Sequence, residues 1–238
     1  MNTIKFEKKN SKVIAHRGLS GIELENSIAA FVAAGNRSYY GIETDVHVTK
    51  DGKFVVFHDD KTNRVGDVDV VIEESTYDEL KKVKLGENNG TLRRDLVIPD
   101  LLDYIRICKK YEKVAVLELK NRIELKYIIQ IIDIIKKEKY LEKTIFISFS
   151  YDNLVDIKTL IPKQEVQFLV KEWNKDYLDM LTKYNMGLDI YYKNVDKKLI
   201  DTLKRNGIKV NCWTCDDKKY AQKLESLGVD YITSNILE

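Results

Sequence analysis

The 238-residue sequence has no long apolar run, no surplus of charge of either sign, and only three cysteines and three histidines. Each shortage excludes something. Forty Lys and Arg against thirty-eight Asp and Glu leave a formal charge near +2, with the two signs interspersed. No basic stripe points to nucleic acid and no like-charge tail points to a disordered arm. The most apolar stretch, 127–135, is broken by Gln130 and Asp133, and it falls far short of the roughly 20 residues a transmembrane helix needs. Residues 1–10 are polar and lysine-containing, without the apolar centre of a secretory leader. A cytoplasmic protein is the expectation, with no transmembrane segment. Oligomeric state is not legible.

An odd number of cysteines argues against a disulfide framework. Cys212 and Cys215 have CxxC spacing. A redox role needs a low-pKa thiolate, whereas Asp216 and Asp217 beside Cys215 would raise its pKa. No second Cys or His pair completes a four-ligand zinc site. The cysteines read as structural, with a thiol oxidoreductase as the competing class.

What the chain does have is alternation. Apolar strand-like runs at 13–15, 41–46, 114–119, 144–149, 165–170, 187–190, 208–213 and 231–233 are separated by helical patterns. The helices are expected at 27–34, 100–111, 123–139, 153–160, 176–184, 197–205 and 218–227. Asn26 or Ser27 would cap the first, Gly35 would stop it, and Pro99 would start the second. Such alternation implies parallel strands covered by helices. A ninth run, 54–57, follows the strand at 41–46 after only Thr49-Lys50-Asp51-Gly52. A parallel crossover needs a dozen or more residues, so this link is a hairpin turn and the ninth run is antiparallel. Eight strands remain. The expected fold is an α/β (β/α)8 TIM barrel forming a single domain over 1–238. A β-hairpin and an insertion of about 60–98 follow barrel strand 2. The insertion, polar around 81–95 with Gly86 and Gly90, reads equally as a lid or a solvated decoration.

The chemistry-bearing residues gather at strand ends, where parallel-sheet enzymes keep their sites. His16-Arg17-Gly18 follows the first strand, Glu43-Thr44-Asp45 ends the second, His58-Asp59-Asp60 ends the hairpin, and Glu118 and Lys120 end the next strand. Residues two apart on a strand share a face, so Glu43 and Asp45 project together. Carboxylates crowded this way repel unless a cation bridges them, and oxygen-only donors favour calcium or magnesium. Surface salt bridges with Arg17 and Lys120 are the plainer alternative. Histidine, with an unperturbed pKa of about 6.5, is the residue best suited to moving protons near neutrality. Arg17 offers a planar fork for phosphate, and Lys120 a point charge. His47 shares the face of Glu43 and Asp45 but lies on the hairpin, so an exposed or supporting role is expected. Asp59 and Asp60 either orient His58 or close its turn.

Together with Glu25-Asn26-Ser27, Ser148-Phe149, Trp213-Thr214 and the closing 228–233 segment, these strings resemble the glycerophosphodiester phosphodiesterases, in order, from about Lys12 to Ser234. The resemblance implies a TIM barrel with an insertion after its second strand. It also implies hydrolysis of a small-molecule glycerophosphodiester to glycerol 3-phosphate and an alcohol. By residue, it implies one divalent cation on Glu43, Asp45 and Glu118, His16 and His58 as acid and base, Arg17 and Lys120 on phosphate, and Trp213 walling the cleft or sitting in the core. A lysophospholipase D-like enzyme and a catalytically silent phosphodiester-binding protein are the alternatives. Two departures stand out: Leu24 where the family usually has proline, and Ser234-Asn235-Ile236 where it usually has Asp-x-Pro. Both are expected to lie outside the cation and proton-transfer groups.

Overall fold

The computed structural model describes residues 2–86 and 91–238. Nine strands form one sheet: β1 (Lys12–Ala15), β2 (Gly41–Val48), β3 (Phe54–Val56), β4 (Val114–Leu119), β5 (Thr144–Ser148), β6 (Val166–Val170), β7 (Gly187–Tyr191), β8 (Val210–Trp213) and β9 (Tyr231–Ser234). Their order is β1-β9-β8-β7-β6-β5-β4-β2-β3, and a further β1–β2 pairing closes eight of them into a parallel barrel. β3 stands outside the ring, antiparallel to β2. Gly52, at φ +73°, makes that turn, a backbone region open to glycine at little cost. The expected eightfold count and the hairpin are both present.

Helices α1 (Ile28–Gly35), α2 (Tyr77–Leu80), α3 (Leu101–Lys110), α4 (Leu125–Lys137), α5 (Tyr151–Leu160), α6 (Tyr177–Tyr184), α7 (Lys197–Arg205) and α8 (Lys218–Leu227) complete the chain, all but α2 between barrel strands. Ser27 caps α1 by accepting from the Ala30 N–H at 3.1 Å. Gly35 is the last residue of α1 and not the residue that stops it; Asn36 does that. A Cβ on Gly35 would lie 2.4 Å from the Tyr111 ring, so close packing of α1 on α3 accounts for the glycine.

The strands are buried on both faces, as parallel strands under helices must be. Their outward residues join the helices in the main core, while Ile14, Val114, Val116, Ile145, Ile147 and Leu169 fill the barrel interior. Period-two alternation then places Glu118 directly above Val116 and Val114 on the inner face. Apolar layers below force the carboxylate to the C-terminal mouth. Residues 57–86 and 91–100 pack on the hairpin through a separate cluster in which Leu24 and Val55 meet Phe57, Ile72, Leu80, Val83, Leu85, Leu96 and Ile98. Positions 87–90, including Gly90 of the polar stretch, lie outside the described residues. Among those described, no helix is long and apolar enough to cross a membrane.

Candidate active site

Three parallel neighbours, β1, β2 and β4, deliver the charged groups. The β2–β4 register sets Asp45 against Glu118, and one carboxylate oxygen from each of Glu43, Asp45 and Glu118 falls within 4.8 Å of the others. All three are buried. The sharp turn after β1 brings His16 and Arg17 over this cluster. Arg17 has φ +52°, which a non-glycine residue holds only when its surroundings over-determine it. Here its N–H donates to Glu43 Oε2 at 2.7 Å. Gly18, at φ +76°, passes so near α1 that a Cβ would lie 2.7 Å from Ala30; no larger residue fits.

Around the cluster each partner is specific. Asn26 Nδ2 donates to Asp45 Oδ2 at 2.8 Å while its Oδ1 accepts from Thr44. The Arg17 guanidinium lies 2.9 Å from Glu25 and 3.7 Å from Asp45. Lys120 Nζ lies 2.9 Å from Glu118 and 3.5 Å from Asp45. Burial pushes Glu43 well above the usual carboxylate range, aided by repulsion from Asp45 and Glu118. Burial and Asp45 push Glu118 up to about 7 against the pull of Lys120. Asp45 goes the other way: burial would raise it, but Lys120, Arg17, His58 and Asn26 hold it well below its ordinary value. Asp45 Oδ1 has no hydrogen-bond partner among the described residues. A buried oxygen-only donor set of three carboxylates against two cations, with an Asp45 oxygen that accepts no hydrogen bond from a described residue and faces Lys120 Nζ at 3.5 Å, fits a hard divalent cation.

Both histidines border the same cleft, with Arg17, Glu43, Glu118, Ile147, Phe149, Leu169, Asp189, Trp213 and Thr233. His16 Nε2 is 4.0 Å from Glu43 Oε2. Its other nitrogen, Nδ1, lies 2.7 Å from Asn235 Oδ1. The Asn235 amide nitrogen donates to Asp216 at 2.6 Å, so the oxygen faces the ring, Nδ1 carries the proton, and Nε2 is the basic nitrogen. Burial and then Arg17 lower His16 to about 4. The hairpin returns His58 to the level of Asp45, since the Phe57 N–H donates to the Asp45 carbonyl at 3.1 Å. His58 Nδ1 sits 2.6 Å from Asp59, which answers the open choice for Asp59: it orients the ring. Burial lowers His58 as well. Trp213 borders the cleft and donates from Nε1 to the Asp189 carbonyl at 3.3 Å. Lys120 faces the carboxylates from the side and is not among the residues bordering the cleft.

Three expectations change. His47 is fully buried, not exposed; its Nδ1 lies 3.0 Å from Glu73 of the insertion. The closing-segment departure does not lie outside the proton-transfer groups, because Asn235 backs His16 directly. The insertion also reaches the site: Arg64 pairs with Glu25 at 2.6 Å and with Asp59 at 2.5 Å, tying the partner of Arg17 to the partner of His58. Asn26, Arg64, Asp189 and Asn235 had no strand-end signature to mark them. Only the family string around Asn26 and the departure at 234–236 offered a hint. The three cysteines are buried and unpaired; burial, then Asp216 and Asp217, push Cys215 up to about 11, against a redox thiolate. A larger cavity of about 720 Å³ opens at the opposite barrel end beside Tyr40, Leu141 and Glu165, but no histidine borders it.

Comparison with known proteins agrees with this geometry. A glycerophosphodiester phosphodiesterase of Caldanaerobacter subterraneus is 32% identical over 230 residues, covering 94% of this chain and 93% of its own. The solved structure of an Oleispira antarctica phosphodiesterase in complex with the product sn-glycerol-3-phosphate superposes with a TM-score of 0.88 at 31% identity, covering 95% of this chain and 94% of that one. A human lysophospholipase D shares 44% identity over 70 residues, 29% of this chain and 22% of its own. The model of the glycerophosphoryl diester phosphodiesterase family matches residues 16–237, and this TIM-barrel chain, with its carboxylate cluster between two histidines, belongs to that family.

Proposed function

We propose that the protein hydrolyses glycerophosphodiesters to sn-glycerol 3-phosphate and an alcohol, with His16 and His58 as the proton-transfer pair. The observation that carries this reading is a cluster of three buried carboxylates, two of which, Glu43 and Glu118, border the same cleft as two differently backed histidines. Glu43, Asp45 and Glu118 would hold one divalent cation, calcium or magnesium. Bound there, it would polarise a non-bridging phosphate oxygen and help stabilise developing negative charge. Arg17 borders the cleft, and its Nε makes no hydrogen bond to a described residue, lying 3.7 Å from Asp45 Oδ2; a guanidinium so placed is a donor suited to a phosphate oxygen. Lys120 supports the carboxylates and adds positive charge beside them.

The two histidines differ in what stands behind them. His16 is backed by a neutral amide, which favours an uncharged ring with Nε2 open, the state of a general base. His58 is backed by the Asp59 carboxylate, which with Asp45 offsets part of the burial that disfavours an imidazolium able to protonate the leaving alcohol. A proton taken by the first from the attacking hydroxyl or water is matched by one given by the second. Phe149 and Trp213, ring centroids 5.6 Å apart, shield one side of this exchange.

The test is release of glycerol 3-phosphate from glycerophosphocholine or glycerophosphoethanolamine by protein supplied with calcium or magnesium. His16→Ala and His58→Ala are each expected to lower kcat by about 10²–10⁴-fold while leaving thermal unfolding cooperative. Full activity in either variant overturns the assignment. Phosphate binding without turnover favours the silent binding protein, and faster release from lysophosphatidylcholine favours a lysophospholipase D.

A further inference from the structure

Asp189 is a carboxyl that the proton-transfer and cation chemistry leaves unused. It stands in the middle of β7 on the barrel's inner face, 2% exposed, and borders the same cleft as both histidines, Arg17 and Trp213. Its Oδ2 accepts from Asn211 Nδ2 at 3.1 Å. Asn211 in turn contacts Gln167 Oε1 at 3.2 Å and accepts from Thr233 Oγ1 at 3.1 Å. These bonds run between β6, β7, β8 and β9 and fix the plane of the carboxyl. Its other oxygen, Oδ1, is buried without a hydrogen bond to any described residue. A buried polar atom left open is costly, and burial already pushes this carboxyl well above its usual range. The network satisfies one oxygen and orients the other, as a binding site requires.

We infer that Asp189 forms the floor of the substrate pocket, where Oδ1 meets a hydroxyl of the substrate's glycerol arm. The assignment rests on the phosphodiesterase reading above and deepens it. A phosphodiester held at the level of Arg17 has two ester arms. In this assignment the glycerol arm lies against Asp189 and Thr233, in the cleft of about 50 Å³ that both histidines and Arg17 also border. So small a space, shared with the phosphate, leaves no room for an acyl chain beside Asp189. The other arm leaves past Phe149, which is 48% exposed at the mouth.

The test is isothermal titration calorimetry in the presence of magnesium with sn-glycerol 3-phosphate and with propyl phosphate, which has the same chain without the hydroxyls. The wild-type protein is expected to bind glycerol 3-phosphate about tenfold more tightly, the worth of one well-made buried hydrogen bond. Asp189→Ala is expected to bring the ratio within about twofold. Asp189→Asn, nearly isosteric, is expected to lower it while preserving the barrel should the alanine variant loosen it. Equal affinities in the wild-type protein, or a ratio unchanged in both variants, overturn the inference. A tenfold preference that Asp189→Ala abolishes, in a protein that fails to hydrolyse glycerophosphocholine, upholds the hydroxyl site and refutes the phosphodiesterase reading.

Discussion

Replacing Glu118 by glutamine is expected to stabilise the cation-free protein and to abolish its response to cation. Burial and the neighbouring Asp45 raise Glu118 from its ordinary 4.5 to about 7, a position that already includes the attraction of Lys120. A carboxyl raised in this way binds its proton more tightly in the folded than in the unfolded chain. Folded stability therefore falls as pH climbs from about 4.5 to about 7, and the loss is complete above that. At about 1.4 kcal/mol for each tenfold change in proton affinity, ionising Glu118 costs the fold about 3 kcal/mol at pH 8. The side chain is 8% exposed, so solvent screens little of it. Glutamine keeps the shape, still offers Lys120 an oxygen, and carries no charge.

For a chain of this size, about 3 kcal/mol corresponds to a rise in Tm of about 6–12 °C at pH 8, fading to nothing near pH 4.5. Thermal unfolding in EDTA across this pH range measures it. Added calcium or magnesium at a thousand times its Kd should reverse the order: the wild-type protein gains about 4.1 kcal/mol, and the variant, lacking one ligand, does not. A variant that melts below wild type in EDTA at pH 8 refutes the reasoning. So does a gain that persists undiminished at pH 4.5, since that gain would come from packing and not from charge.

Two further substitutions probe groups that stand behind the histidines. Asn235→Leu removes the acceptor at 2.7 Å from His16 Nδ1; a fall in kcat of about tenfold, with KM held within about twofold, is expected in steady-state kinetics. Arg64→Ala releases Glu25 and Asp59 together, so kcat should fall and KM should rise, about tenfold in kcat/KM. Arg64→Lys should restore only part of this, because a single ammonium cannot span two carboxylates as a guanidinium fork does. An unchanged KM in Arg64→Ala would sever the proposed link to Arg17.

The barrel was legible because its causes are local. Eight short apolar runs alternating with helical patterns leave few ways to bury both faces of a parallel sheet, and the four residues 49–52 allow only a hairpin. The carboxylate cluster was legible for the same reason. Glu43 and Asp45 share a face by strand periodicity alone, and Glu118 tops an apolar inner row at Val114 and Val116.

What periodicity could not supply was anything dependent on which loop crosses which strand end. For His47 the position past the rim left an exposed and a supporting role open, and only the packing of the insertion buries it and places Glu73 against it. Asn235 looked peripheral because nothing in its neighbours announces that β9 adjoins β1. Barrel closure makes the last strand the neighbour of the first, and so sets residue 235 behind residue 16. The sequence by itself determined the fold, the carboxylates and the two imidazoles, since those follow from short-range alternation. The tertiary structure alone decided the partners that tilt, pair and tune them, since those come from segments up to 219 residues apart.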